Sequence, residues 1–243
     1  MRYSLLFLMM LLLSFKIMAF EKIIKGESVA IGNGTAYTYV IYDEKNCPRS
    51  LGVALSKSAL KALPETDSSY TLKLPGIIKL PPYKDVVINW NAHGHEPTDI
   101  YGIPHFDFHF YAISETERNS IMCMDQDNAL CLKQPGSEYL PAYYVPTPAG
   151  VSMMGWHWLD SRSPELHGAR FTSTFIYGYY NAKVIFVEPM ITREFLLDHG
   201  TVNAEIPMPD KFAISGYYPQ NYILKYDEEM SVYRIILKNL KKF

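Results

Sequence analysis

The sequence predicts an α+β domain organised around a mostly antiparallel, strongly curved sheet, assembled from strand-strand-helix units and open to closure toward a barrel. Three observations carry this reading. Aromatic and β-branched side chains dominate, with 19 Tyr and 12 Phe among 243 residues, and these favour the pleated, half-buried surface of a strand. Pro and Gly punctuate them often, as turns between short strands require. Helix-start signals then follow paired strand-like runs at three places.

In chain order, residues 35–42 and 51–55 read as two strands about the turn Asn46, Cys47, Pro48, followed by a short helix over 56–63. Residues 86–91 and 106–113 repeat the scheme with a longer connection, after which Ser114, Glu115, Thr116, Glu117 forms a capping-box signature for a helix. Residues 174–180 and 183–187 repeat it around Asn181, with a helix over 192–198. The units share hydrophobic pattern and no residue motif, so the repetition is architectural. Residues 222–226 and 232–237 read as a final hairpin, and the proline-rich 135–148 as a long surface loop or connection between lobes.

At the N-terminus, Arg2 precedes the apolar run Leu5 to Leu13, too short to span a bilayer and interrupted at Lys16. This reads as a signal peptide over 1–19, removed near Phe20, which places a single domain over 20–243 in the periplasm or outside the cell. An uncleaved anchor is the alternative; the shortness of the run weighs against it, and no later stretch suggests a stable membrane anchor. A formal net charge of −2 argues against nucleic acid as partner, because phosphate binding needs clustered cations. Lys238, Lys241 and Lys242 form the basic cluster at the tail. In an oxidising compartment Cys123 and Cys131, flanking a polar turn, are expected to pair and leave Cys47 odd.

Four of the seven histidines fall in one window, His93, His95, His105 and His109. Alternate side chains of a strand share a face, so His105, Asp107 and His109 point one way and Phe106, Phe108 and Phe110 the other. The phenylalanines take the core, which leaves a face rich in imidazole where a solvent-facing strand would carry Lys, Glu or Thr. Residues two apart on a strand are about 6.6 Å apart and those four apart about 13 Å, so one ion does not easily take both ends. Antiparallel pairing about the 96–104 connection would set His95 opposite His105 and His93 opposite Asp107. His157 lies between Trp156 and Trp158, and burying both indoles would turn it to the opposite face. Glu188 ends a hydrophobic strand, where a buried carboxylate needs a cation, a proton or donors.

The candidate ligand pool is therefore His93, His95, His105, His109, His157 and Glu188, with Asp107 orienting a ligand from behind and Glu96 as general base should water be bound. Imidazoles with a carboxylate suit zinc, manganese, iron, nickel or copper. The competing reading is a hydrogen-bond network without metal, in a non-catalytic protein that binds a small-molecule ligand or forms a homo-oligomer. The sequence carries no GxSxG elbow, HExxH pair, P-loop or dinucleotide-binding glycine pattern.

The HGHE stretch is similar to the ligand pattern of cupins, but the cupin spacing between the HxH pair and its Glu is longer, which puts membership in doubt. The strings HGHEPTDIYGIPHFDFHFY, MGWHW, TFIYGYY and FVEPMIT resemble a bacterial family of exported proteins of unknown function typified by a sigma-E-controlled protein of a thermophile. The resemblance covers residues 34–197. It implies an α+β fold and an oligomeric assembly, and no settled activity, substrate or metal.

Overall fold

The computed structural model describes residues 21–76, 80 and 82–243; the leader predicted over 1–19, and its junction at Phe20, lie outside them. In chain order the strands are β1 (Lys22–Lys25), β2 (Val29–Ile31), β3 (Gly34–Tyr42), β4 (Pro48–Ser56), β5 (Ser68–Lys73), β6 (Asp85–Asn91), β7 (His105–Tyr111) and β8 (Tyr144–Pro146). They continue with β9 (Trp156–Asp160), β10 (Ser173–Tyr180), β11 (Lys183–Thr192), β12 (Val202–Glu205), β13 (Tyr217–Tyr218), β14 (Asn221–Asp227), β15 (Val232–Lys238) and β16 (Lys241–Lys242). The helices are α1 (Thr98–Tyr101), α2 (Glu115–Asn119), α3 (Asn128–Cys131) and α4 (Arg193–Leu197).

One sheet runs β1-β3-β4-β15-β14-β12, with β2 also paired to β3; the other runs β5-β6-β7-β11-β10-β9-β8, and β13 and β16 form a small ribbon. The paired strands are antiparallel. Period-two alternation explains how the sheets meet. Val40, Leu51, Val53, Leu224, Tyr233 and Ile235 of the first sheet share one buried cluster with Val86, Ile88, Phe106, Phe108, Phe110 and Val187 of the second. Each such side chain, fully buried, contributes about 1.5–3 kcal/mol relative to exposure, so the two inner faces stack as a sandwich.

The antiparallel, β-rich reading of the sequence therefore holds, and the helical and barrel parts do not. Both sheets end in unclosed edges, β1 and β12 in one, β5 and β8 in the other. The helix expected over 56–63 is a single 3-10 turn, Lys57–Leu60, and α2 and α4 are five residues each. Their caps form: Ser114 and Glu117 make the reciprocal capping box, and the Thr192 hydroxyl accepts from the Phe195 N–H at 3.2 Å. None of these segments carries an apolar stripe over several turns, without which a helix has no face to bury. The three strand pairs also divide between sheets, β3–β4 in the first and β6–β7 and β10–β11 in the second. Cys123 and Cys131 are disulfide-bonded, and Cys47 is free and half-buried. No helix among the described residues is long and apolar enough to cross a membrane.

The outer face of the second sheet is not a solvent face. Tyr101, Leu159, Phe171, Ile176 and Met190 pack together at one end, and Val87, Tyr111, Ile121, Ile185 and Phe186 at the other. Between and beneath these two apolar patches run the polar side chains of β7, β11 and β9.

Candidate metal centre

Strand β7 carries His105, Asp107 and His109 on this outer face, and all three are buried. Its neighbours fix what stands beside them. On β6, Asn91 lies opposite His105, Asn89 opposite Asp107 and Val87 opposite His109. On β11, Thr192 lies opposite His105 and Met190 opposite Asp107, with Glu188 paired across to Ile176 of β10. Farther out, His157 of β9 faces Gly178 of β10. Trp156 and Trp158 are buried in the core cluster, which turns His157 to the outer side.

The register corrects one expectation. β6 ends at Asn91, so His93 and His95 lie beyond the strand and Asn89, not His93, stands opposite Asp107. His93 is exposed and belongs to neither side-chain group. His95 returns to the site by a loop: Gly94 takes φ +74, the Gly94 N–H donates to Asn91 O at 3.3 Å and the His95 N–H to Tyr101 O at 3.2 Å. A Cβ on Gly94 would meet Tyr101 O at 2.1 Å, so this bend requires glycine twice over, for its φ and for its close approach.

Two groups result. His95, His105 and Asp107 each offer a ligand atom within 4.8 Å of the others, and so do His109, His157 and Glu188. In the first group the tautomers are readable. A carbonyl oxygen only accepts, so His105 Nδ1, 2.7 Å from Ile103 O, and His95 Nδ1, 2.8 Å from Glu96 O, must carry protons. A neutral imidazole protonated at Nδ1 presents a lone pair at Nε2. Both Nε2 atoms turn to the same carboxylate, His105 at 3.2 Å from Asp107 Oδ1 and His95 at 3.8 Å from Asp107 Oδ2. His105 Nε2 and Asp107 Oδ1 are buried without a hydrogen-bond partner among the described residues. Asp107 Oδ2 accepts from Asn91 Nδ2 at 2.7 Å.

Asp107 was expected behind a histidine, orienting it as an outer partner. It stands instead on the Nε2 side, while backbone carbonyls take the outer role, the arrangement that orients imidazole ligands in metal sites. Glu96 contributes its carbonyl to His95; its exposed carboxylate accepts from the Thr98 N–H at 3.1 Å. Phe171 packs edge-on against His105 with ring centroids 5.5 Å apart, and Tyr101 against His95 at 5.9 Å. The His95 side chain keeps 40% of its surface exposed, so this group opens to solvent on the His95 side.

The second group is enclosed. His109 Nε2 is 3.4 Å from Glu188 Oε1 and His157 Nε2 3.7 Å from Glu188 Oε2. Both nitrogens of His109 and Oε2 of Glu188 have no hydrogen-bond partner among the described residues. Its walls are aromatic: Tyr111 stacks on His109 with centroids 5.5 Å apart, and Phe186 lies edge-on to His109 and His157. A Cβ on Gly178 would fall 2.0 Å from the Phe186 ring, so the missing side chain admits that ring.

Burial sets the charges. It pushes the His109 imidazole down to about 3 and that of His157 to about 4, holding both neutral. Burial, aided by the charge of Asp107, pushes Glu188 well above the usual carboxylate range. Burial also opposes ionisation of Asp107, but the His105 side chain beside it, aided by His95, outweighs burial and holds its carboxyl below that range. The surroundings thus shift two carboxylates on one face in opposite directions. Asn89, Asn91 and Phe171, which shape the first group, were missed in the sequence; the alternation of Asn89 and Asn91 on β6 was the signal for two of them. His167 bonds Ser161 O at 2.8 Å and His199 stacks on Tyr226, away from both groups.

Comparison with family models, with curated proteins and with solved structures finds no match for this chain.

Proposed function

We propose that this chain is an exported metal-binding protein whose His95, His105 and Asp107 hold one divalent transition-metal ion, drawn from zinc, manganese, iron, nickel and copper. One observation carries the proposal: two imidazoles are tied at Nδ1 to backbone carbonyls and aim their Nε2 lone pairs at one carboxylate. With both imidazoles neutral and no cation between them, lone pair faces lone pair, and each buried polar atom so stranded costs about 1–3 kcal/mol. Ligand atoms at about 2.0–2.2 Å around a tetrahedral ion stand about 3.3–3.6 Å apart, close to the 3.2 and 3.8 Å separations here.

Three protein ligands leave coordination positions open, and the exposed side of His95 is where water or a small ligand would enter. Such a donor set suits metal-assisted hydrolysis or oxygen chemistry, with Glu96, next to His95 on the same loop, as the general base. The apolar leader supports a periplasmic or secreted location, with which the disulfide is compatible. The family resemblance supports the same compartment and self-association.

The test is a metal titration of tag-free, chelator-stripped protein beside a His95→Ala, His105→Ala variant. Saturable uptake by the wild type, lost in a variant that keeps its circular dichroism, supports the reading. No uptake by the wild type, or a variant that loses stability while binding metal as before, replaces it with a structural hydrogen-bond network.

A further inference from the structure

We infer that the enclosed group His109, His157 and Glu188 is a second, separate ion site, structural in character. The argument stands on geometry and does not depend on an ion at His95. Nε2 of His109 and the nearest Glu188 oxygen are 3.4 Å apart, and Nε2 of His157 and the other oxygen 3.7 Å. Both separations exceed the 2.7–3.2 Å of an N–H···O hydrogen bond. The first falls within, and the second just above, the edge of a tetrahedron of ligands around a first-row ion, about 3.3–3.6 Å. His109 and Glu188 are fully buried, and both His109 nitrogens and Glu188 Oε2 lack a partner among the described residues. His109 and Glu188 belong, with His157, to one set whose ligand atoms lie within 4.8 Å of one another, a donor set waiting for a cation rather than a finished network.

The position of the donors sets the role. His109 comes from β7, Glu188 from β11 and His157 from β9, and β10 passes between the last two. There it presents Gly178 opposite His157, so no side chain stands at that point of the face. An ion held by these residues ties three strands of the second sheet across a fourth. Asp107 belongs to the other group, and along β7 its Cα and that of His109 are about 6.6 Å apart, which makes two neighbouring sites and not one shared by six ligands. Burial of His109 and Glu188 beside Tyr111 and Phe186 suits a structural ion, and two imidazoles with one carboxylate select a divalent first-row ion such as zinc.

The experiment is a zinc titration of the full chain, tag-free and stripped with chelator, read by calorimetry and by elemental analysis after gel filtration. Wild type is compared with Glu188→Gln, which keeps shape without the anionic ligand, and with His157→Gln and His95→Ala. The expected result is a second equivalent of zinc in the wild type, absent from Glu188→Gln and His157→Gln and retained by His95→Ala, with thermal stabilisation by zinc reduced in the first two. Zinc stoichiometry unchanged in both Glu188→Gln and His157→Gln overturns the inference. A single equivalent lost in His95→Ala alone also overturns it and leaves the proposed function standing. A single equivalent lost in Glu188→Gln and kept by His95→Ala supports the inference and removes the proposed function. Should His157→Gln fail to fold, Glu188→Gln decides the matter alone.

Discussion

His105 and Asp107, two residues apart on β7, meet with Nε2 and Oδ1 3.2 Å from each other, both buried and without a hydrogen-bond partner among the described residues. The histidine proton is committed to Ile103 O on the far side of the ring. Everything proposed for the first centre grows from this contact, because a protein interior that leaves two acceptors facing each other forgoes stability that the net 5–15 kcal/mol of a folded domain can ill spare.

The tautomers are directly measurable. Long-range proton–nitrogen spectra of the metal-free protein should show His95 and His105 protonated at Nδ1, with Nε2 shifting on metal addition. Protonation at Nε2 in either ring contradicts the assigned hydrogen bonds.

Asp107→Asn keeps the shape of the carboxylate and removes its charge. Losing an outer hydrogen-bond partner typically lowers metal affinity about 10–100-fold; losing a ligand should exceed that. Affinity at the first centre is therefore expected to fall by more than about 100-fold, read by competition with a chromophoric chelator, while the fold persists. An affinity within about threefold of wild type would place the ion elsewhere.

Gly94→Ala forces a side chain into φ +74 and against Tyr101 O. The loop must shift and take His95 with it. Weaker metal binding at the first centre with a small change in urea midpoint is expected, because the loop lies outside the core; unchanged affinity would show that His95 is not a ligand.

Gly178→Ala acts on the second sheet by overpacking. The new methyl group meets the Phe186 ring, which packs against His109 and His157. Such insertions typically cost about 1–3 kcal/mol, measurable as a lower urea midpoint at unchanged slope. No loss of stability would show that the ring has room to move.

Acid should weaken the metal-free protein through its buried histidines. His109 and His157 sit at about 3 and about 4 when folded, against about 6.5 in an unfolded chain. The unfolded state therefore binds more protons below about 6.5, and stability present above that pH is lost as pH falls toward 4. Glu188 works in the other direction: its raised value stabilises at low pH, and that contribution is lost as pH rises through its folded value. Metal-free Glu188→Gln isolates the histidines, and its urea midpoint should fall more steeply between pH 6.5 and 4 than that of Glu188→Gln, His157→Gln. Equal slopes would mean that His157 is not held neutral by burial.

The alternation HFDFHFY was legible because a strand's period is two and the phenylalanines declared the core side. His157 between two indoles and Glu188 at the end of an apolar run were legible for the same reason. The register of β6 against β7 was not. The strand over 86–91 was read, but carrying its pairing on through His93 and His95 set His95 opposite His105, where Asn91 stands; the loop, with α1 and the bend at Gly94, takes His95 out of the strand. The sandwich was equally hidden. Local hairpins are written in turns, whereas β4 meeting β15 and β7 meeting β11 are set by which faces bury together across long stretches of chain. The outer face of the second sheet looked like a polar surface, since its cover comes from Tyr101, Phe171 and Met190, residues distant in sequence.

Anomalous diffraction from a crystal of the tag-free protein equilibrated with zinc, recorded on both sides of the zinc edge, tests the central claim most directly. A zinc peak about 2.0–2.2 Å from Nε2 of His95, Nε2 of His105 and a carboxylate oxygen of Asp107 is predicted. Those three side chains lying in clear density with no anomalous peak between them, and zinc bound elsewhere or not at all, would contradict it.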